Sequence, residues 1–150
     1  DPDKEIIITV GGSEAIDIAL RAVINPGEEV LIPQPSYVSY LPCAVLADAV
    51  PVVIELKAEN EFRLTKEELL AHITPKTKVL IMPFPNNPTG AIMEKKDIYT
   101  SHISNPLRIR DITRLSAHGL SAENLPVSVF VKTPVKLRIT CLNSYLIYSD

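Results

Sequence analysis

The feature that most restricts this chain's fold is an alternation of two hydrophobic periods along residues 1–97. Residues 5–10 form a β-branched run that ends at Gly11-Gly12. Beyond it, Ile16, Ala19, Leu20, Val23 and Ile24 recur at the spacing of one helical face. Ser13 is placed to cap that helix and Asn25-Pro26-Gly27 to stop it. Residues 29–32 read as a short buried strand, closed by Pro33 and Pro35. Val38, Leu41 and Val45 predict a second helix, which accommodates Pro42 only near its start. Residues 50–56 read as a strand. Thr65 and Glu68 form a capping-box pattern ahead of Leu69, Leu70 and Ile73, and residues 78–82 read as a further strand. Strands separated by helices predict an α/β fold with a mostly parallel sheet flanked by helices. Ligands of such sheets bind beyond the carboxyl ends of the strands, so the loops that follow strands are where function is sought.

Composition matters because it changes along the chain. Residues 1–97 carry 15 acidic and 9 basic side chains, a net charge of −6, whereas residues 98–150 carry 3 and 6, a net charge of +3. Glu falls from ten to one across that point, and Ser rises from three to seven. A domain boundary, a basic tail or a different origin of the second piece would each produce such a break. It divides a domain over residues 1–97 from a divergent segment over residues 98–150, whose loss of Glu and gain of Ser and Arg would suit an out-of-frame or rearranged continuation. Within the second region, residues 125–131 and 137–142 read as strands, and residues 103–115 show no clean helical stripe.

Three loops carry residues with chemical potential. In Val10-Gly11-Gly12-Ser13-Glu14-Ala15 a strand runs through two glycines straight into a helix. Glycine lets the backbone approach a ligand closely, and the free N–H groups and positive dipole end of the helix suit a phosphate. A plain strand-to-helix turn with a serine cap accounts for the same residues. The stretch is neither the G-x-G-x-x-G dinucleotide pattern nor a Walker motif. In Pro33-Gln34-Pro35-Ser36-Tyr37-Val38-Ser39-Tyr40 two prolines stiffen a strand exit and hold an aromatic ring at the sheet's edge. That ring is able to stack on a planar ligand, or simply to pack with its hydroxyl wet. Asn86-Asn87-Pro88-Thr89-Gly90 is a turn by composition that also presents an amide at a strand's carboxyl end.

Other function classes find little support. A net charge of −3 and the lack of aromatics among Arg108, Arg110 and Arg114 argue against nucleic-acid binding. The apolar runs are too short to span a membrane. His72, His102 and His118 lie far apart with no metal-ligand spacing, so no metal is expected. There is no Gly-x-Ser-x-Gly elbow. Asp1-Pro2-Asp3-Lys4-Glu5 has neither the basic start nor the apolar stretch of a signal peptide. A cytoplasmic protein with Cys43 and Cys141 as reduced thiols is expected, and Cys43 sits on an apolar face that predicts burial.

The three loops, in this order and each after a strand, resemble the fold-type I aminotransferases that use pyridoxal 5′-phosphate, within the class I/II group of aspartate and aromatic amino acid aminotransferases. The resemblance runs over about residues 4–97. Ile8-Thr9-Val10-Gly11-Gly12-Ser13-Glu14-Ala15-Ile16 looks like the family's phosphate loop. Asn25-Pro26-Gly27-Glu28-Glu29-Val30 and the Pro33-to-Tyr40 stretch match its next segment. Thr74-Pro75-Lys76-Thr77-Lys78 leads to the strand before the Asn86-to-Gly90 turn. The resemblance implies that Gly12, Ser13 and the Glu14 backbone hold the cofactor phosphate. It implies that Tyr37 stacks on the pyridine ring, and that Asn87 hydrogen-bonds the ring hydroxyl oxygen. It places Pro35 and Pro88 where relatives often have cis bonds. It implies transfer of an amino group from an amino acid to a 2-oxo acid, by a ping-pong route through pyridoxamine phosphate, in a homodimer.

Several family groups have no match. The lysine that bonds the cofactor lies in a Ser-x-Ser-Lys context, which neither Lys132 nor Lys136 has. The aspartate beside the pyridine nitrogen belongs to an Asp-Glu-x-Tyr stretch, of which Asp97-Ile98-Tyr99 is a faint echo at the wrong distance. Arg138 lacks the context of the carboxylate-clamping arginine. No catalytic residue is therefore assigned. The expectation is a partial large domain, truncated and inactive alone. The alternatives are a non-catalytic cofactor-binding or dimerising fragment, or another α/β enzyme that cradles a nucleotide phosphate. A partial sheet also predicts that Val52, Ile54, Val79 and Ile81 are partly exposed or covered by residues 98–150, with marginal stability through open edges.

Overall fold

The computed structural model describes residues 6–93, 127–131, 138–142 and 145–149. Among the described residues seven strands form one sheet: β1 (Ile6–Ile8), β2 (Glu29–Gln34), β3 (Val50–Glu55), β4 (Thr77–Met82), β5 (Val127–Val131), β6 (Arg138–Leu142) and β7 (Tyr145–Ser149). Three helices, α1 (Gly11–Val23), α2 (Tyr40–Leu46) and α3 (Lys66–His72), and a 3-10 turn at Ala58–Asn60 connect the first four strands. The sheet order is β1-β7-β6-β5-β4-β2-β3.

β2 pairs in parallel with β3 and with β4, which is the α/β arrangement that the alternating periods predict. The next four pairings, β4–β5, β5–β6, β6–β7 and β7–β1, are all antiparallel. Four reversals restore the original direction. β1 therefore runs the same way as β2 and β4, and the loops leaving all three strands emerge along one edge of the sheet.

Both faces of β2 and β4 are covered, as parallel strands require. Side chains alternate across a strand, so Val30, Ile32, Val79 and Ile81 point to one face and Leu31, Leu80 and Met82 to the other. The first set packs with Ala15, Ile16, Ala19 and Leu20 of α1 and Tyr40, Cys43 and Ala44 of α2. The second packs with Ile54, Leu56, Leu64 and Leu69. Each large aliphatic side chain buried here stabilises the fold by about 1.5–3 kcal/mol. Ile54, Val79 and Ile81 are fully buried, and of these four only Val52 keeps the expected partial exposure. The missing contacts are supplied by helices on both faces, and β5 satisfies the edge of β4. At the outer edge, β3 leaves Val50 and Val53 exposed.

Local details correct other expectations. Ser13 does not cap α1: the N-cap is Val10, no side chain caps it, and Ser13 lies in the first turn. The Glu14 carboxylate instead accepts the Val10 N–H. α2 exists where expected and buries Cys43 as its apolar face predicts, together with Tyr40 and Ala44, while Val45 faces outward and Val38, ahead of the helix, is exposed. The helix rotates so that its small residues meet α1 closely. Pro42 falls in its first turn, as its missing N–H demands. β2 continues through Pro33 to Gln34. The capping box at α3 is present in full: Thr65 Oγ1 accepts from Glu68 N at 3.2 Å, and the Glu68 carboxylate accepts from Thr65 N at 3.1 Å. Strands are present within both stretches proposed for the second region, and β7 is an additional one. Residues 103–115, Asp97, Lys132, Lys136, His102 and His118 lie outside the described residues.

Candidate functional site

The loop after β1 is built on Gly11. Its φ is +81°, a backbone conformation that L side chains rarely adopt, and a Cβ there would meet nothing within 4 Å. Glycine is needed here for its conformation, not for space. The turn aims the chain directly into α1. Buried Thr9 braces it by donating its hydroxyl to the Gly11 carbonyl at 2.9 Å. With no side-chain cap, the first N–H groups of this 13-residue helix point outward at its positive end.

Ser13 stands at the centre of the site. Its hydroxyl oxygen lies 3.0 Å from the Tyr37 hydroxyl and 3.2 Å from the Ser39 hydroxyl. The loops after β1 and β2 are thus joined side chain to side chain. Tyr37 is half-buried and meets Tyr40 edge to face, with ring centroids 5.7 Å apart and planes at 76°. That geometry suits aromatic quadrupoles and holds the Tyr37 ring upright at the sheet edge. The hydrogen bonds from Ser13, and then from Ser39, favour the phenolate and hold the Tyr37 hydroxyl below the ordinary tyrosine range.

The loop after β4 is tied to the loop after β2 by Asn86. This side chain is buried, and its amide nitrogen donates to the Pro35 carbonyl at 2.8 Å and to Thr89 Oγ1 at 3.0 Å. Its own backbone closes the turn, with Asn86 N donating to the Ala91 carbonyl at 2.8 Å and Gly90 N donating to the Asn86 carbonyl at 2.7 Å. Asn87 is left exposed beside it. The Gln34–Pro35 and Asn87–Pro88 bonds are cis, as the resemblance implies, and so is Phe84–Pro85.

Of the residues singled out in the sequence, Gly12, Ser13 and Glu14 share the first turn of α1, and Ser13 touches Tyr37 directly. Asn87 is exposed on the loop that its neighbour Asn86 ties to Pro35, and does not share in the Ser13–Tyr37 contact. Two residues went unnoticed. Ser39 looks like an ordinary helix-start serine, and Asn86 like one of two equivalent asparagines; only the fold separates the buried one from the exposed one. Among the described residues no group of three or more His, Cys, Asp and Glu is placed to hold a metal ion. None of the described helices is long and apolar enough to cross a membrane. A shallow depression of about 450 Å³ lies at the opposite edge of the sheet, lined by Pro26, Gly27, Glu28, Pro75, Lys76 and neighbouring residues.

Comparison with known proteins places these loops in context. The family described as "Aminotransferase class I and II" matches residues 1–100. The chain is 49% identical over 98 residues to an aspartate aminotransferase of Pyrococcus abyssi, covering 65% of this chain and 25% of that protein. It is equally identical over the same length to aromatic-amino-acid aminotransferase 2 of Thermococcus litoralis. Among solved structures, the aromatic aminotransferase of Pyrococcus horikoshii superposes with a TM-score of 0.64 at 45% identity, over 67% of this chain and 27% of that one. A Thermus thermophilus aspartate aminotransferase mutant gives 0.63 at 36% identity, over 73% of this chain and 29% of that one. The chain therefore spans about a quarter of the length of the curated relatives it matches. With two thirds of its length matched by the family and its fold shared with solved members, this chain belongs to the class I and II aminotransferases.

Proposed function

We propose that residues 1–97 are part of the cofactor-binding domain of an aminotransferase that uses pyridoxal 5′-phosphate. The observation that carries the reading is the 3.0 Å contact between Ser13 and Tyr37, which sets an anion seat and an aromatic plate side by side. The residues fit the cofactor's parts. Gly12, Ser13 and the Glu14 backbone offer N–H groups and a hydroxyl at a helix N-terminus for the phosphate. Tyr37 offers a ring face to the pyridine. Asn87, on the loop that Asn86 fastens to Pro35, offers an amide to the ring hydroxyl oxygen. When bound, the cofactor supplies an electron sink for charge developing on the amino-acid substrate. The protein's part is to anchor, stack and orient.

The whole enzyme of this reading moves an amino group from an amino acid to a 2-oxo acid, in the cytoplasm and as a homodimer. For the chain itself we propose inactivity alone. Lys76 and Lys78 lie at the amino end of β4, the edge opposite the site, and no lysine occurs in the Ser-x-Ser-Lys context. That same observation favours the second reading, a non-catalytic fragment that binds the cofactor or pairs with a longer relative. The family match ends within three residues of the composition break after Asp97, which supports residues 98–150 as a divergent segment.

A melting experiment tests the reading. A ligand that binds only the folded chain at a hundred times its Kd adds about 2.7 kcal/mol of stability. Pyridoxal 5′-phosphate is expected to raise Tm, and ADP is not. A rise with ADP alone would favour a nucleotide-binding α/β protein instead. Transamination by this chain above the rate of free cofactor would overturn the proposed inactivity.

A further inference from the structure

Ser39 begins α2 as its N-cap, a position where a serine hydroxyl ordinarily accepts a backbone N–H of the first helical turn. Here it makes no such bond. It reaches across to Ser13 Oγ at 3.2 Å, on a helix 26 residues earlier in the chain. Tyr37 approaches the same oxygen at 3.0 Å. The Ser13 main chain is held as well, with the Cys43 thiol 4.0 Å from its carbonyl oxygen.

A serine hydroxyl has one proton and two lone pairs. With Tyr37 in its neutral phenol form, Tyr37 and Ser39 are both able to donate to Ser13 Oγ, which fills its lone pairs and leaves its proton for a third acceptor. Each donated bond also polarises the next, so the Ser13 hydroxyl becomes a better donor to an anion. Either neighbour alone leaves that hydroxyl free to turn.

We propose that Ser39 is a positioning residue of the cofactor site, which acts through Ser13 to orient its hydroxyl toward the phosphate. The inference rests on the cofactor reading given above. Ser39 does not touch the cofactor. Its effect is confined to ligands that carry the phosphate, and it vanishes when Ser13 is absent.

The test uses pyridoxine 5′-phosphate and pyridoxine, alcohols that form no Schiff base with any lysine, in equilibrium dialysis followed by pyridine absorbance. The unaltered chain is expected to bind the phosphate ester more tightly than the free alcohol. Ser39→Ala is expected to weaken binding of the ester roughly 3- to 10-fold, the worth of one hydrogen bond, and to leave pyridoxine binding unchanged. Ser39→Thr, which keeps a hydroxyl, is expected to restore most of the loss. In a Ser13→Ala background, Ser39→Ala is expected to add nothing. Ser39→Gly, well tolerated at an N-cap, serves the same comparison should the alanine variant fail to fold. If the unaltered chain does not prefer the ester, the cofactor reading itself fails and this inference with it. If it does prefer the ester, the inference alone is overturned by any of three results: an unchanged preference in Ser39→Ala, an equal loss for both ligands, or a full effect of Ser39→Ala without Ser13.

Discussion

The Asn86 side-chain amide donates to the Pro35 main-chain carbonyl at 2.8 Å, across 51 residues of sequence. With the Ser13–Tyr37 contact, this bond fastens the three loops at the carboxyl ends of β1, β2 and β4 into one series. Both amide hydrogens of Asn86 are in use, one to Pro35 and one to Thr89. Asn86→Ala removes the donor from two acceptors, and a buried group left unsatisfied costs about 1–3 kcal/mol. Asn86→Asp keeps the shape but turns a carboxylate oxygen toward the Pro35 carbonyl, so it is expected to destabilise more. Urea denaturation midpoints check the order unaltered, alanine, aspartate. Equal midpoints for all three would show that the tie carries no stability.

The contrast between Asn86 and Asn87 marks how far the sequence is readable. Hydrophobic period found α1, β2, β3 and β4, because burial on one helical face or on both strand faces leaves a repeating trace. The capping box at Thr65 and Glu68 was legible for a similar reason: both of its hydrogen bonds are local. Ser13, Tyr37 and Asn87 were found through loop position and family likeness. Ser39 and Asn86 were not, since their partners are 26 and 51 residues away and no local pattern encodes such a pairing. The burial of Cys43 is legible from its apolar neighbours, whereas the exposure of Val38 and Val45 is not, because it depends on the small pair Cys43 and Ala44 making the close contact with α1. The direction of β1 was also beyond a local reading, for it depends on four successive antiparallel pairings.

Gly11 sets the entry to α1 through its φ of +81°. A side chain at that position meets no atom within 4 Å, so the cost of adding one is conformational. Left-handed backbone costs an L residue about 1–2 kcal/mol. Gly11→Ala is therefore expected to lower stability by about that amount, and Gly11→Asn by less, because asparagine tolerates the region better. Thermal melts of the two variants check this. An alanine variant as stable as the original would mean that the turn takes another conformation.

Cys43 is a buried free thiol packed between α1 and the sheet. Burial, reinforced by the nearby Asp17 carboxylate and opposed by Arg21, pushes its pKa above the ordinary thiol value. Since the thiolate is the reactive form, slow alkylation of the native chain is expected, with rapid reaction in denaturant. A Cys141→Ser background leaves this one thiol to be followed. The raised folded pKa makes a contribution to stability that is complete below the unfolded value and is lost as pH climbs through the folded one. Alkylation at equal rates in native and denaturing buffer would contradict the burial.

Tyr37 titrates in the opposite sense. The hydrogen bond from Ser13, then that from Ser39, lowers its pKa from the ordinary value of 10.0, against a smaller opposing effect of burial. A lowered folded pKa means that the phenolate is better held in the folded chain than in the unfolded one. The contribution to stability is then fully present above pH 10.0 and is lost as pH falls through the folded value. Ultraviolet difference titration, with Tyr37→Phe subtracted to remove the other four of the five tyrosines, reads this one phenol. Ser13→Ala is expected to return it most of the way to the ordinary value, and Ser39→Ala part of the way, in the order of the two hydrogen bonds. Were both variants to leave the titration in place, the hydroxyl contacts would not be the cause, and the coupling between the aromatic plate and the anion seat would lose its physical basis.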